Sequence, residues 1–307
     1  MKTVFMGTPQ IAAASLKAVI EAGFEVAAVF TQPDRPKNRG MKLAFSPVKE
    51  LALEHGIPVY QPETLRGGEA EQLLRSIAPD IAAVVAYGRI IPESMISIPR
   101  YGFINIHASL LPKYRGSAPV QWAVLNGDST TGLTSMYIAP ELDSGDMIYK
   151  CETEIGEFET SGELFERLCP MSGELLVRTM RGIEAGTAPR EPQDGSKATL
   201  APMLSRSMSP IDWSKSPREI VKHICGLDPW PCATMEINGA VFKVYGAEYT
   251  DHSTDKAPGT IISAGPRGIE FAAGGGKTLL VTKLQAPGGK RMAAADYLRG
   301  HPIEAVC

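Results

Sequence analysis

The sequence predicts an α/β protein of two domains, a Rossmann-like parallel sheet followed by a small OB-like β-barrel. Three observations predict it. Apolar strand-like runs alternate with helical periodicity up to about residue 182. A Pro/Gly-rich stretch then breaks the rhythm. After it come short alternating segments separated by Gly and Asn turns.

Residues 2–6 (KTVFM) read as a buried strand. Gly7-Thr8-Pro9 follows as a turn, with Thr8 placed to cap a helix and Pro9 at its first position. Ile11, Leu16, Val19 and Ile20 keep helical spacing and stop near Gly23. Residues 26–30 (VAAVF) make a second strand. Strand, helix and strand in about 30 residues imply a parallel pair with a right-handed crossover. The pattern repeats with a helix over 46–56, a short strand at 59–60 and a helix over 68–77. A strand over 81–86 (IAAVVA) and another over 103–107 follow. Residues 132–137 and 147–155 read as two more strands, and 160–182 as a long helix.

Residues 1–185 are therefore assigned to the first domain, 186–203 to a linker and 204–307 to the second. In the second, a helix over 217–225 precedes strands at 233–237, 241–245, 259–262, 269–272 and 279–284. Gly274–Thr278 ends like a phosphate-binding loop, but position 271 is Phe rather than the required Gly. The segment reads as a hairpin turn.

Composition excludes several classes. Among 307 residues, 44% are hydrophobic and 21% charged, so the chain folds. No run of about 18 apolar residues occurs, and no membrane role is expected. The five cysteines include no C-x-x-C pair, which argues against a zinc site and a disulfide framework; no metal is expected, and a reducing cytoplasm fits. The formal net charge of −3 means that any polyanion must be met by local basic patches.

The chemistry gathers at INIHASLLPKYRGSAP, residues 104–119. Alternation along a strand points Asn105 and His107 to one face, and His107 falls at a carboxyl end, where open α/β sheets carry their sites. Taken alone, Asn-x-His also describes a histidine hydrogen-bonded at a sheet edge. Asp143, in the turn LDSGD, alone describes an Asx-turn. Together the three suit attack of an amine on a carbonyl. The amide meets an oxyanion, the imidazole polarises or shares protons, and the carboxylate takes a proton. No G-x-S-x-G elbow and no suitably placed Cys is present, so direct transfer is favoured over a covalent enzyme intermediate.

N-x-H-x-S-L-L-P followed by L-D-x-G-D resembles the folate-dependent formyltransferase family. The resemblance implies transfer of a formyl group from 10-formyltetrahydrofolate to an amine, with Asn105, His107 and Asp143 as the catalytic trio. It implies folate contacts at Ser109, Leu110, Leu111 and Pro112. Residues 86–92 (AYGRIIP) resemble the loop against which the pterin packs, which implicates Tyr87, Gly88 and Ile91. Core packing accounts for Tyr87 and Ile91 equally well.

Three further segments resemble the members of that family that act on methionyl initiator tRNA. They are the opening FMGTPQIAAASLKAV, the basic stretch 31–49 and the C-terminal IDWSKS, GLDPWPCATM and LQAPGGKRM. The resemblance implies tRNA contacts at Arg35, Lys37, Arg39 and Lys42, with Lys49 in the same stretch, and at Lys290 and Arg291 in the barrel. The bland reading of the basic stretch is a solvated charged loop. Ala108, Tyr114 and Asp228 stand where the family commonly has Gly, Trp and Asn. A monomer is expected. A formyltransferase for another amine, and an RNA-binding module without catalysis, remain as alternatives.

Overall fold

The computed structural model describes residues 1–37 and 42–303, and the side chains of all of these except 35–37 and 42–43. In chain order the first part contains β1 (Lys2–Gly7), α1 (Gln10–Glu21), β2 (Glu25–Phe30), β3 (Arg35–Lys37), β4 (Lys42–Ala44), α2 (Pro47–Glu54), β5 (Val59–Tyr60) and α3 (Glu69–Ile77). It continues with β6 (Ile81–Val85), α4 (Glu93–Ile96), β7 (Phe103–His107), α5 (Pro119–Leu125), β8 (Thr130–Tyr137), β9 (Met147–Glu154) and α6 (Ser161–Glu184).

A seven-stranded sheet runs in the order β5-β2-β1-β6-β7-β8-β9. The pairings from β5 through β7 are parallel, whereas β8 is antiparallel to β7. The all-parallel expectation is corrected to a mixed, mainly parallel sheet. The reason lies in residues 108–129. They stay at the end where β7 leaves the sheet instead of crossing back over a face.

The strand order reverses between β1 and β6, the switch point at which open sheets leave a crevice. β1 and β6 are buried almost throughout because helices cover both faces. Val4, Met6, Phe30, Val84, Tyr87, Met95 and Phe103 share one core cluster. α1 meets α6 closely, with Ser15 Oγ 2.7 Å from Ser172 Oγ. Pro9, not Thr8, is the N-cap residue of α1, and Thr8 turns its hydroxyl to the Tyr87 carbonyl at 3.4 Å.

The basic stretch is more ordered than a loop. Its β3 and β4 pair antiparallel as a two-stranded ribbon. Ser46 caps α2 by accepting from Lys49 N at 3.1 Å.

The second part contains α7 (Pro217–Leu227), β10 (Ala233–Ile237), β11 (Ala240–Ser253), β12 (Ile261–Gly265), β13 (Gly268–Ala273), β14 (Lys277–Gln285), β15 (Met292–Ala293) and α8 (Ala294–Gly300). Its sheet runs β10-β11-β14-β13-β12, with β15 beside β14, and every pairing is antiparallel. Gly274–Gly276 joins β13 to β14 as the expected hairpin turn. A Ser216–Glu219 capping box starts α7. Trp213 stacks on Phe271 with ring centroids 4.4 Å apart.

The chain forms two compact units. One comprises residues 1–119, 131–153 and 165–201, the other 120–130, 154–164 and 202–307. The stretch read as a linker is corrected by this division, because residues 186–201 belong to the first unit. Ala201 is buried, Glu191 bridges to Met147 and Leu200 bridges to Arg115. Composition misled because this segment obtains its hydrogen bonds from distant loops, with no periodicity of its own. Among the described residues, no helix is long and apolar enough to cross a membrane.

Candidate active site

The carboxyl ends of β1, β2 and β6 are tied together by polar side chains. Gln32 Nε2 donates to the Tyr87 carbonyl at 3.0 Å, Gln32 N donates to Thr8 Oγ1 at 3.4 Å, and Arg89 Nε donates to Gln32 Oε1 at 3.2 Å. These bonds hold the loop 86–92 in place. Tyr87 and Ile91, implicated above as folate contacts, have their side chains in the core. The exposed part of the loop is Ala86, Gly88 and Ile90, the last 76% exposed. The buried Tyr87 hydroxyl has no hydrogen-bond partner among the described residues, and burial raises the pKa of the phenol.

β7 carries Asn105 and His107 on one face. His107 is buried. Its Nε2 lies 2.8 Å from the Tyr114 carbonyl, and its Nδ1 lies 3.6 Å from Asp143 Oδ2. The same Asp143 oxygen accepts from Gly116 N at 2.9 Å. Asn105 is half-buried, and its amide has no partner among the described residues. The structure thus brings His107 and Asp143 together, with Asn105 beside them on the strand.

Two glycines allow this closeness. Gly116 has φ 123°, and a Cβ there would sit 2.7 Å from the Ala201 carbonyl oxygen. At Gly145 a Cβ would meet the Tyr137 carbonyl oxygen at 1.8 Å. The Asp143 loop therefore packs against the end of β8 only with glycine at 145.

Thr134 pins the segment after His107. It donates to the Ser109 carbonyl at 2.7 Å and accepts from Leu111 N at 3.1 Å. Ser109 Oγ donates to the Lys113 carbonyl at 2.6 Å, and Leu111 packs with Met136 and Met147. Of the four folate positions expected in this segment, Ser109 and Leu111 are buried, while Leu110 and Pro112 are partly exposed.

Sequence reasoning missed Gln193, which lay in the supposed linker. Its Nε2 donates to the carbonyls of both Asp143 and Gly145 at 2.8 Å, and its Oε1 accepts from Arg115 Nε and Nη2 at 3.1 and 2.8 Å. No local signal marks it, since a single Gln in a polar segment carries no periodicity.

Of the expected tRNA contacts, Arg39 and the side chains of Arg35, Lys37 and Lys42 lie outside the described residues. Lys49 is internally tied. It pairs with Asp34 and donates to Gln61 Oε1 at 2.8 Å. Burial raises the Asp34 pKa, but Lys49 and Gln61 outweigh it and hold the carboxyl below its ordinary value. Lys290 is exposed. Arg291, in contrast, pairs with buried Asp228 at 3.1 Å and lies over the Tyr245 ring at 4.2 Å. Arg291 therefore supplies the counter-charge that buried Asp228 needs, while its own side chain stays 47% exposed.

Burial pushes the thiols of Cys151 and Cys169 up, and that of Cys225 to about 11. None of these three is a thiolate nucleophile at neutral pH. An amide, an imidazole and a carboxylate gathered at the sheet end are the equipment of an acid–base transferase that also stabilises an oxyanion. The formyl transferase family model matches residues 1–180, and the formyl transferase C-terminal domain model matches residues 203–302; the chain belongs to the formyl transferase family. It is 45% identical over 304 residues to the methionyl-tRNA formyltransferase of Clostridioides difficile (strain 630), covering 99% of this chain and 98% of the relative. To the protein of that name from Clostridium novyi (strain NT) it is 48% identical over 305 residues, with the same coverages. Among solved structures, an N-formyltransferase from Helicobacter canadensis in complex with folinic acid and dTDP-3-aminofucose shares the fold. Its TM-score is 0.69 at 18% identity, covering 92% of this chain and 98% of that one.

Proposed function

We propose that this chain transfers the formyl group of 10-formyltetrahydrofolate to the α-amine of methionyl initiator tRNA, for translation initiation. The observation that carries the reading is the 3.6 Å approach of Asp143 Oδ2 to His107 Nδ1, next to an Asn105 amide with no partner among the described residues. The names of the relatives support methionyl-tRNA as the acceptor, and the folinic acid bound by the N-formyltransferase of the same fold supports a folate as the donor.

Bound formylfolate supplies an activated formyl carbon, and the chain supplies the proton chemistry around it. Asp143 takes a proton from the attacking amine, directly or through water. Asn105 Nδ2 donates to the developing oxyanion. His107 uses Nδ1, because Nε2 is engaged by Tyr114. In its charged form Nδ1–H faces the Asp143 carboxylate and the oxyanion alike. The amine nitrogen gains the formyl carbon, the bond to the folate nitrogen breaks, and that nitrogen is protonated as it leaves.

The exposed backbone of Gly88 and the apolar Ile90 suit a flat ring, and Leu110 and Pro112 extend that surface. Ser109 and Leu111 shape it from below, as Tyr87 and Ile91 do for their own loop. Residues 1–185 form the catalytic domain in this reading, and 204–307 an OB-like barrel that binds tRNA. Arg35, Lys37, Arg39 and Lys42 meet the acceptor end, and Lys290 and Arg291 meet phosphates from the barrel. The protein works in the cytoplasm as a monomer.

The test is transfer of labelled formyl from the folate to charged initiator tRNA, with charged elongator tRNA as the comparison. Strong preference for the initiator supports the reading. Formylation of a small amine instead, with neither tRNA used, overturns it.

A further inference from the structure

We propose that Gln193, held by Arg115, is a positioning residue that sets the Asp143 carboxylate against His107. The inference rests on the reading of Asn105, His107 and Asp143 as the catalytic trio.

Asp143 sits in a turn between β8 and β9, with φ 47°. An αL backbone, which Asp tolerates, sets the turn but does not by itself fix where the carboxylate points. Two contacts fix it from outside. Gly116 N grips the carboxylate at 2.9 Å, and Gln193 Nε2 grips the carbonyls of Asp143 and Gly145 at 2.8 Å each. A Gln amide has two hydrogens on nitrogen and none on oxygen. Both carbonyls need donors and both Arg115 nitrogens need an acceptor, so only one orientation of this amide satisfies all four partners.

Arg115 completes a closed circuit. It lies between Tyr114, whose carbonyl receives His107 Nε2, and Gly116, whose N–H holds Asp143. Its backbone is clamped to the same returning segment as Gln193, by Arg115 N to the Thr199 carbonyl and Ala201 N to the Arg115 carbonyl, both at 2.8 Å. Tyr114 N also donates to Thr199 Oγ1 at 2.9 Å. The segment 191–201 therefore straps the His107 loop and the Asp143 loop into one register. Gln193 is the side chain that touches both through Arg115. Misplacing a catalytic carboxylate by about 1 Å costs about 100-fold in rate.

The test is a double-mutant cycle in the full-length chain, read by single-turnover formyl transfer to charged initiator tRNA. Gln193→Ala should lower kcat about 10-fold to 100-fold, with KM for both substrates within about twofold. Gln193→Glu keeps the shape and the Arg115 contact but loses both donors to the carbonyls. A carboxylate oxygen then faces both carbonyls, so this variant should lose at least as much rate and melt a few degrees lower while remaining folded. In an Asp143→Ala background neither substitution should lower the residual rate further, because Gln193 acts through Asp143. Unchanged kcat in Gln193→Glu, or an equal loss in both backgrounds, overturns the proposal. Full activity in Asp143→Ala alone overturns instead the assignment of the trio, which is a separate result.

Discussion

His107 Nε2 lies 2.8 Å from the carbonyl oxygen of Tyr114. A carbonyl only accepts, so Nε2 carries a hydrogen whether the ring is neutral or charged. Nδ1 is left to face Asp143, and in the proposed mechanism it is the nitrogen that acts. Gln preserves a donor near the Nε2 position but has nothing at Nδ1. His107→Gln should keep its melting temperature within a few degrees and lose turnover by about 100-fold or more. A variant that kept the full single-turnover rate would remove Nδ1 from the mechanism.

Asn105 shows the opposite balance. Its amide has no partner among the described residues, so truncation leaves no group unpaired. Asn105→Ala should change stability by no more than about 0.5 kcal/mol. Turnover should fall by about 100-fold to 1,000-fold. Thermal melts and single-turnover rates on one preparation check both halves, and a stability loss with unaltered turnover contradicts the assignment.

Arg291 and Asp228 make a prediction with a definite pH sign. Burial raises the Asp228 pKa, and Arg291 opposes the rise without cancelling it. A folded-state pKa above the unfolded one adds stability at low pH, and that contribution is lost as pH rises through the folded value. Arg291→Ala removes the opposition, so the variant should melt several degrees lower at pH 7 and lose much less near pH 4, at about 1–3 kcal/mol for the unpaired charge. Adding Asp228→Asn, the residue common in the family, should recover most of the loss at pH 7. Equal losses at both pH values would show that packing on Tyr245 alone matters.

Glu270 behaves with the reverse sign. Burial raises its pKa, but the Thr278 hydroxyl, the His252 imidazole and the Ser263 hydroxyl outweigh that and hold the carboxyl below its ordinary value. Its contribution is present above the unfolded pKa and is lost as pH falls through the folded one. The C-terminal unit should therefore weaken on acidification below about pH 4.5. Glu270→Gln should flatten that part of the curve in thermal melts taken between about pH 3 and 6. A curve of unchanged slope rules Glu270 out as its source.

The tRNA reading separates by salt. Lys290→Ala should weaken tRNA binding and reduce the slope of log affinity against log salt by about one. Arg39→Ala should weaken tRNA use while folate affinity stays nearly intact. Equal loss of both affinities would contradict the division of labour.

Much of the fold was legible because its signals are local. β6 is a continuous apolar run and β1 and β2 contain one, β7 alternates apolar and polar residues, α3 begins and ends where the helical period does, and the GGGKT segment turns between two strands as its flanks require. Asn105, His107 and Asp143 were legible as candidates through the combined motif, because an isolated Asn-x-His on a strand also describes a histidine hydrogen-bonded at a sheet edge. The antiparallel β8 was not legible, since nothing local distinguishes a strand that returns from one that crosses over. The ion pair of Arg291 with Asp228 was not legible for the same reason. A cation beside a glycine turn reads as free until Asp228 is found buried beneath it.

The sequence by itself determined which residues could perform the chemistry and which strands would form, because side-chain type and periodicity are properties of short windows. Only the tertiary structure decided which nitrogen of His107 is available and what holds Asp143 before it. It also decided that residues 186–201 of the supposed linker belong to the first compact unit. Those depend on hydrogen bonds between segments far apart in the chain, such as Gln193 with Asp143 and Thr199 with Arg115. No local pattern encodes a partner that arrives from elsewhere in the fold.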